Sequence, residues 1–105
     1  MYQSKFSSKS LDNLFEAMQT LKTKEDYYRF FEDVCTISEL QAIAQRFEVA
    51  EMLAQDETYT HIAETTGAST ATISRVKKCL NYGANGYKIV LERLKSHQEK
   101  GDRDV

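Results

Sequence analysis

Proline is absent from the 105 residues, and no window alternates apolar and polar side chains for long enough to make a strand. Interruptions between helices must therefore come from glycine, asparagine and aspartate. Cysteine is scarce as well. Cys35 and Cys79 are too few and too far apart for a disulfide framework or a metal site. No apolar run approaches the roughly 20 residues that span a bilayer. The opening residues, MYQSKFSSKS, carry no apolar core of the kind a secretory leader needs. A reducing cytoplasm, with no membrane partner, is the expected setting. Also missing are a glycine-rich phosphate loop, a nucleophile elbow and a recognisable pair of carboxylates. His61 and His97 stand in no metal-ligand spacing. No catalytic residue, metal or cofactor is assigned, and the chain is not expected to be an enzyme.

What is present suits a folded chain with a modest core, 41% of it hydrophobic and 29% charged. The net charge of −2 hides a polarised distribution. From Leu11 to Thr66, 4 basic residues face 12 acidic ones, whereas from Gly67 to Lys100, 7 basic residues face 2 acidic ones. Contact with phosphates needs a local basic surface, not a basic protein.

Apolar residues recur at helical spacing almost throughout, and six helices are expected. Leu11, Leu14, Phe15, Met18 and Leu21 form the first stripe, with Ser10 as its N-cap. Thr23 and Asp26 open a second helix whose apolar face is Tyr27, Tyr28, Phe31 and Val34. Thr36 and Glu39 make a capping box for the longest helix, which turns Leu40, Ile43, Ala44, Phe47, Ala50 and Leu53 inward. Thr58 and Ser69 cap the next two helices. NYGANG breaks the chain before a last helix bearing Tyr87, Val90, Leu91 and Leu94, and fraying is expected from about Lys100. The front aromatics either close the monomer core or serve a dimer. Phe30 falls off the stripe of Tyr27, Phe31 and Val34, which favours burial on two sides and an intertwined homodimer.

The stretch YTHIAETTGASTATISRVKK, Tyr59 to Lys78, reads as a helix-turn-helix. Ala63 is small where two helices cross, Gly67 suits a left-handed turn, and Ile73 and Val76 can pack on Ile62 and Ala63. The outer face of the second helix is left with Thr70, Ala71, Ser74, Arg75 and Lys78. Small polar, methyl-bearing and basic side chains suit base edges and phosphates in a major groove. Ser69, at the helix start, favours a phosphate. A structural hairpin with a glycine turn is the competing reading.

The order of helices and the GASTATISRVKK segment resemble the tryptophan repressor superfamily, and more closely its YerC/YecD-like group. The repressor's turn reads GAGIATITR against GASTATISR here. The resemblance implies an all-α, six-helix homodimer with interlocked N-terminal helices, acting as a transcriptional regulator. Position by position, it places Thr70, Ala71 and Ser74 at bases and Thr72 and Arg75 near phosphates. Thr60 stands where the repressor has a base-reading arginine, so the target sequence should differ. Arg46 falls near the arginine that stacks on bound tryptophan, and Arg75 also remains. However, Val76 replaces the glycine that leaves space for the indole, and Cys79 replaces a serine that meets the amine. Arg46, Arg75, Val76 and Cys79 thus mark a ligand-pocket position that argues against tryptophan. Cys79 is expected to face the core, and Arg46 to pair with Glu48 or Glu51.

The expected organisation is one domain over residues 1–105. It comprises dimerisation helices at about 10–55, a helix-turn-helix at 59–81 and a C-terminal helix at about 84–98. The expected function is sequence-specific regulation of transcription, as a repressor, through double-stranded DNA. Lys77 and Lys78 join Ser69 and Arg75 in positioning. A helical protein–protein adaptor in the transcription machinery is the alternative from another class. A regulator gated by another small ligand is the second alternative, with the effector unidentified.

Overall fold

The computed structural model describes residues 2–103, with side chains to residue 98. All regular structure among these residues is helical: α1 Lys9–Met18, α2 Lys24–Val34, α3 Ile37–Ala54, α4 Tyr59–Thr66, α5 Thr70–Tyr82 and α6 Gly86–Arg103. None of the described helices is long and apolar enough to cross a membrane. The chain divides into two compact units, Met1–Leu40 and Gln41–Val105, and the division falls inside α3.

In the first unit, local hydrogen bonds set each helix start. α1 is capped by Ser8 and not by Ser10: Ser8 is extended and its Oγ accepts the Leu11 N–H at 3.1 Å, while Ser10 is already in the first turn. Thr23 and Asp26 form the reciprocal box of α2. Thr36 Oγ1 accepts the Glu39 N–H at 3.2 Å, and Glu39 Oε1 accepts the Thr36 N–H at 2.8 Å. Each box satisfies amide donors that a helix start leaves without partners. Leu11, Leu14, Met18 and Leu21 are half-buried as their spacing predicts, but Phe15 is exposed.

Neither α1 nor α2 contains a buried residue. The two-sided burial expected from Phe30 is therefore not found within the chain. Phe30 is half-buried edge-on to Phe31, with ring centroids 5.4 Å apart. Of the expected inner face, Phe31 is half-buried, whereas Tyr27, Tyr28 and Val34 are exposed. Helices of 10 and 11 residues have too little surface to close a core on their own.

The second unit has that core. Val49 and Ala50 of α3, Ile62 of α4, Ala68 of the turn, and Ile73 and Val76 of α5 are buried together. Met52, Leu53, Tyr59, Ala63, Leu80 and Tyr87 pack around them. Each fully buried Ile or Val contributes about 1.5–3 kcal/mol relative to exposure. An eight-residue helix such as α4 is marginal alone, so this packing is what holds it. Of the inner face expected for α3, Ala50 is buried and Leu40, Phe47 and Leu53 are half-buried. Ile43 and Ala44 are exposed instead, and Val49, outside the expected face, is buried, so the inner face is shifted toward the Val49 edge of the helix. Apolar residues on several sides of α3 made both rotations compatible with the spacing.

The breaks also have local causes. Asp56 and Asn85 adopt positive φ of 60° and 68°, a conformation asparagine and aspartate tolerate better than most residues. Gly83 is extended, and a Cβ there would run into the Cys79 carbonyl. α6 continues through Lys100 to Arg103, past the expected point of fraying; Asp104 and Val105 lie outside the described residues.

The two capping carboxylates make the fold acid-sensitive in a defined direction. Asp26 is held below the usual carboxylate range by the Lys22 and Thr23 backbone N–H groups, and Glu39 by that of Thr36. A lowered folded-state pKa gives stability that is present at neutral pH and is lost as pH falls below about 4. Asp26→Asn and Glu39→Gln should each lower Tm at pH 7 and flatten the fall in Tm between about pH 5 and 3. An unchanged acid limb in thermal melts of both variants would count against this account.

Candidate nucleic-acid interface

The candidate interface stands on the turn between α4 and α5, and several hydrogen bonds hold that turn. Gly67 takes φ 74° and donates its N–H to the Ala63 carbonyl at 2.9 Å, ending α4. Only glycine occupies this left-handed position without strain. Thr66 Oγ1 donates to the Ile62 carbonyl at 2.8 Å and accepts the Ala68 N–H at 3.1 Å. Gln45 of α3 donates its side-chain amide to the Thr66 carbonyl at 3.1 Å, satisfying an acceptor at the end of α4. Ala68 is then buried, and Ser69 opens α5.

Ser69 makes two bonds to the same residue. Its Oγ accepts the Thr72 N–H at 3.1 Å and donates to Thr72 Oγ1 at 3.0 Å. With Thr72 Oγ1 accepting from Ser69, its own O–H can donate to an external acceptor. A phosphate oxygen only accepts, so this orientation suits it.

Ile73 and Val76 fix the rotation of α5 by facing the core. The opposite surface follows from the 3.6-residue repeat. Thr70, Ala71, Ser74, Arg75, Lys77 and Lys78 are exposed together with Ser69, and Thr72 is half-buried. The ion pairs among the described residues are Arg29–Glu25 and His61–Glu57, and Arg75, Lys77 and Lys78 take part in neither. Lys77 instead lies over the Tyr59 ring, with its Nζ 5.5 Å from the centroid. His61 is exposed on α4, 3.9 Å from Glu57.

The four ligand-pocket positions are placed differently from one another. Val76 is 1% exposed and fills the core with its own side chain. Cys79 is exposed, contrary to the expectation that it faces inward. The core edge of α5 runs through Ile73, Val76 and Leu80, which leaves Cys79 about a quarter-turn away. Arg46 and Arg75 are both exposed, and Arg46 pairs with neither Glu48 nor Glu51. Two grooves, one lined by Phe6, Leu11 and Phe15 among others and the other by Phe31, Glu32, Thr36 and Leu40 among others, include none of the four. Among the described residues no group of three or more His, Cys, Asp or Glu could hold a metal ion.

Sequence reasoning missed Gln45, Thr66 and Tyr59. Thr66, two residues before the Ala68 amide it bonds, follows a known local turn pattern. Gln45 and Tyr59 act on residues 21 and 18 positions away, and no local spacing announces that.

An all-helical chain whose short glycine turn presents an exposed, small and basic helix has the fold of a DNA-binding transcription regulator. The chain belongs to the Trp repressor family, whose model, described as Trp repressor protein, matches residues 9–95. It is 56% identical over 91 residues to YerC of Bacillus subtilis (strain 168), covering 87% of this chain and 88% of that protein. A crystal structure of a TrpR-like protein from Eubacterium eligens ATCC 27750 matches with TM-score 0.83 and 55% identity, covering 87% and 94% of the two chains. A second crystal structure, from Staphylococcus aureus, matches with TM-score 0.83 and 46% identity over 87% and 91%.

The Ser69 cap can be separated from its chemistry. Ser69→Ala should cost about 1 kcal/mol, whereas Ser69→Asp, which still accepts the Thr72 N–H, should stay close to the parent in thermal melts. Equal losses in both variants would mean that the cap is not what Ser69 contributes.

Proposed function

We propose that the protein is a homodimeric, cytoplasmic repressor that reads a specific double-stranded DNA sequence with α5 and does so without tryptophan. The observation that carries the reading is the uncompensated face of α5. Three cations, Arg75, Lys77 and Lys78, share the exposed surface of α5 with Thr70, Ala71 and Ser74, and among the described residues none of them is in an ion pair. Arg75, Lys77, Lys78, Ser69 and Thr72 contact phosphates and set the register. Thr70, Ala71 and Ser74 meet base edges. None of those three is long, so water-mediated contacts and DNA shape carry much of the specificity.

A second copy supplies what one helix lacks. Phe15, Tyr28, Val34 and Ile37 are each more than half exposed in the first unit, and a partner would cover them. Two α5 helices related by a two-fold axis and about 34–36 Å apart read successive major grooves, with repression following from occupancy of the operator.

Independence from tryptophan rests on Val76. Its buried side chain occupies space that a glycine would leave open to an indole. Titration calorimetry with tryptophan should give no stoichiometric heat of binding, and a measured one-to-one isotherm per protomer would overturn this part of the reading.

The division of roles on α5 is tested by fluorescence anisotropy on duplex DNA across a salt series. Lys78→Ala should weaken all sequences alike and reduce the salt slope by about one. Ser74→Ala should change preference among sites while leaving the slope in place. Equal losses for both variants on every sequence would refute the assignment, and no binding by the parent protein at about 50 mM salt would refute DNA binding itself.

A further inference from the structure

The contact between Lys77 and Tyr59 crosses the two helices of the hairpin. Tyr59 opens α4, and Lys77 lies past the middle of α5. Tyr59 is half-buried and packs against the apolar cluster, so its ring is a fixed platform, while Lys77 is exposed above it. Lys77 follows Ser74 by three residues and Thr70 by seven, which puts it on their side of α5. A lysine that grips a phosphate loses much of its rotamer freedom. An aromatic face beneath the ammonium restricts that freedom before any DNA arrives, and pre-ordering of this kind raises affinity. The ring engages one side of the ammonium, so N–H donors remain for a phosphate oxygen.

We propose that Tyr59 is a positioning residue for DNA binding: its ring holds the Lys77 ammonium on the side of α5 that carries Thr70 and Ser74 and presents it to a phosphate of double-stranded DNA. The inference rests on the DNA-binding reading above. Because the ring belongs to α4 and the cation to α5, the contact ties this phosphate to the register of the base-facing residues. Lys78 has no such platform and acts as a mobile charge. The two adjacent lysines therefore differ in kind.

The test is a double-mutant cycle, read by anisotropy on duplex DNA at low salt, with a thermal melt of every variant. Tyr59→Phe keeps the ring and should bind within about twofold of the parent. Tyr59→Leu keeps bulk but loses the π face, and should weaken binding about two- to fivefold. In a Lys77→Ala background the same Tyr59→Leu change should cost nothing further, because its effect runs through the lysine. Lys77→Arg, which also sits over aromatic rings, should retain affinity.

A direct readout that does not depend on DNA is the ring-current shift of the Lys77 ε-methylene protons by NMR. They should move upfield in the parent and in Tyr59→Phe. Absence of that shift in the parent would sink the proposal even if Tyr59→Leu failed to fold. Equal weakening by Tyr59→Leu with and without Lys77 would overturn it too, reducing Tyr59 to a structural residue. If the parent binds DNA and Lys78→Ala weakens it while Tyr59→Leu does not, only this proposal fails. If the parent does not bind duplex DNA at all, the DNA-binding reading fails and this inference with it.

Discussion

The exclusion of water from between α3, α4 and α5 by Val49, Ala50, Ile62, Ala68, Ile73 and Val76 is the constraint on which the second unit depends. α4 is too short to persist alone, and α5 presents a defined outer face only because two of its side chains are committed inward. Once Ile73 and Val76 face the cluster, the rotation of α5 is set, and Thr70, Ala71, Ser74 and Arg75 have no direction left except outward. The hydrogen bonds of the turn refine this arrangement. Thr66 and Gln45 satisfy groups at the end of α4, and Gly67 supplies the one backbone conformation that lets the chain reverse there.

Electrostatics follow from the same geometry. The protein is acidic as a whole, with a net charge of −2, yet a binding surface is judged by its local field. On α5 the cations form no ion pair among the described residues, so their field is available to a polyanion. Such exposed charges add little to folding, because solvent screens them. Exposed cations of this kind act in association with a polyanion, where they release the counterions condensed on its phosphates. The core can therefore be apolar and the surface basic without either demand compromising the other.

The first unit follows a different logic. Its helices are well started, by Ser8, by the Thr23 and Asp26 box and by the Thr36 and Glu39 box, yet they bury nothing completely. Caps determine where a helix begins, but they supply no core. Phe15, Tyr27, Tyr28 and Val34 of these helices stay exposed, because the half-buried Leu11, Leu14, Met18, Phe30 and Phe31 offer too little surface to cover them.

Much of this was legible in the sequence. Caps at Thr23, Thr36, Thr58 and Ser69, the left-handed Gly67, and the inward Ile73 and Val76 are local or nearly local signals, because hydrogen bonds within a few residues and a 3.6-residue repeat produce them. The helix count and the all-helical class follow from the same signals. Where several local solutions were compatible, the sequence could not choose: Ser8 or Ser10 as cap, or which side of an α3 apolar on several faces turns inward. Cys79 was misjudged for a related reason, since a small side chain suits either a core or a surface and only the rotation of α5 decides. The rest belongs to tertiary structure alone. Gln45 reaching Thr66 and Lys77 lying over Tyr59 join residues far apart in the chain. Periodicity along one helix carries no information about what a neighbouring helix brings against it, so these contacts exist only once the helices have packed.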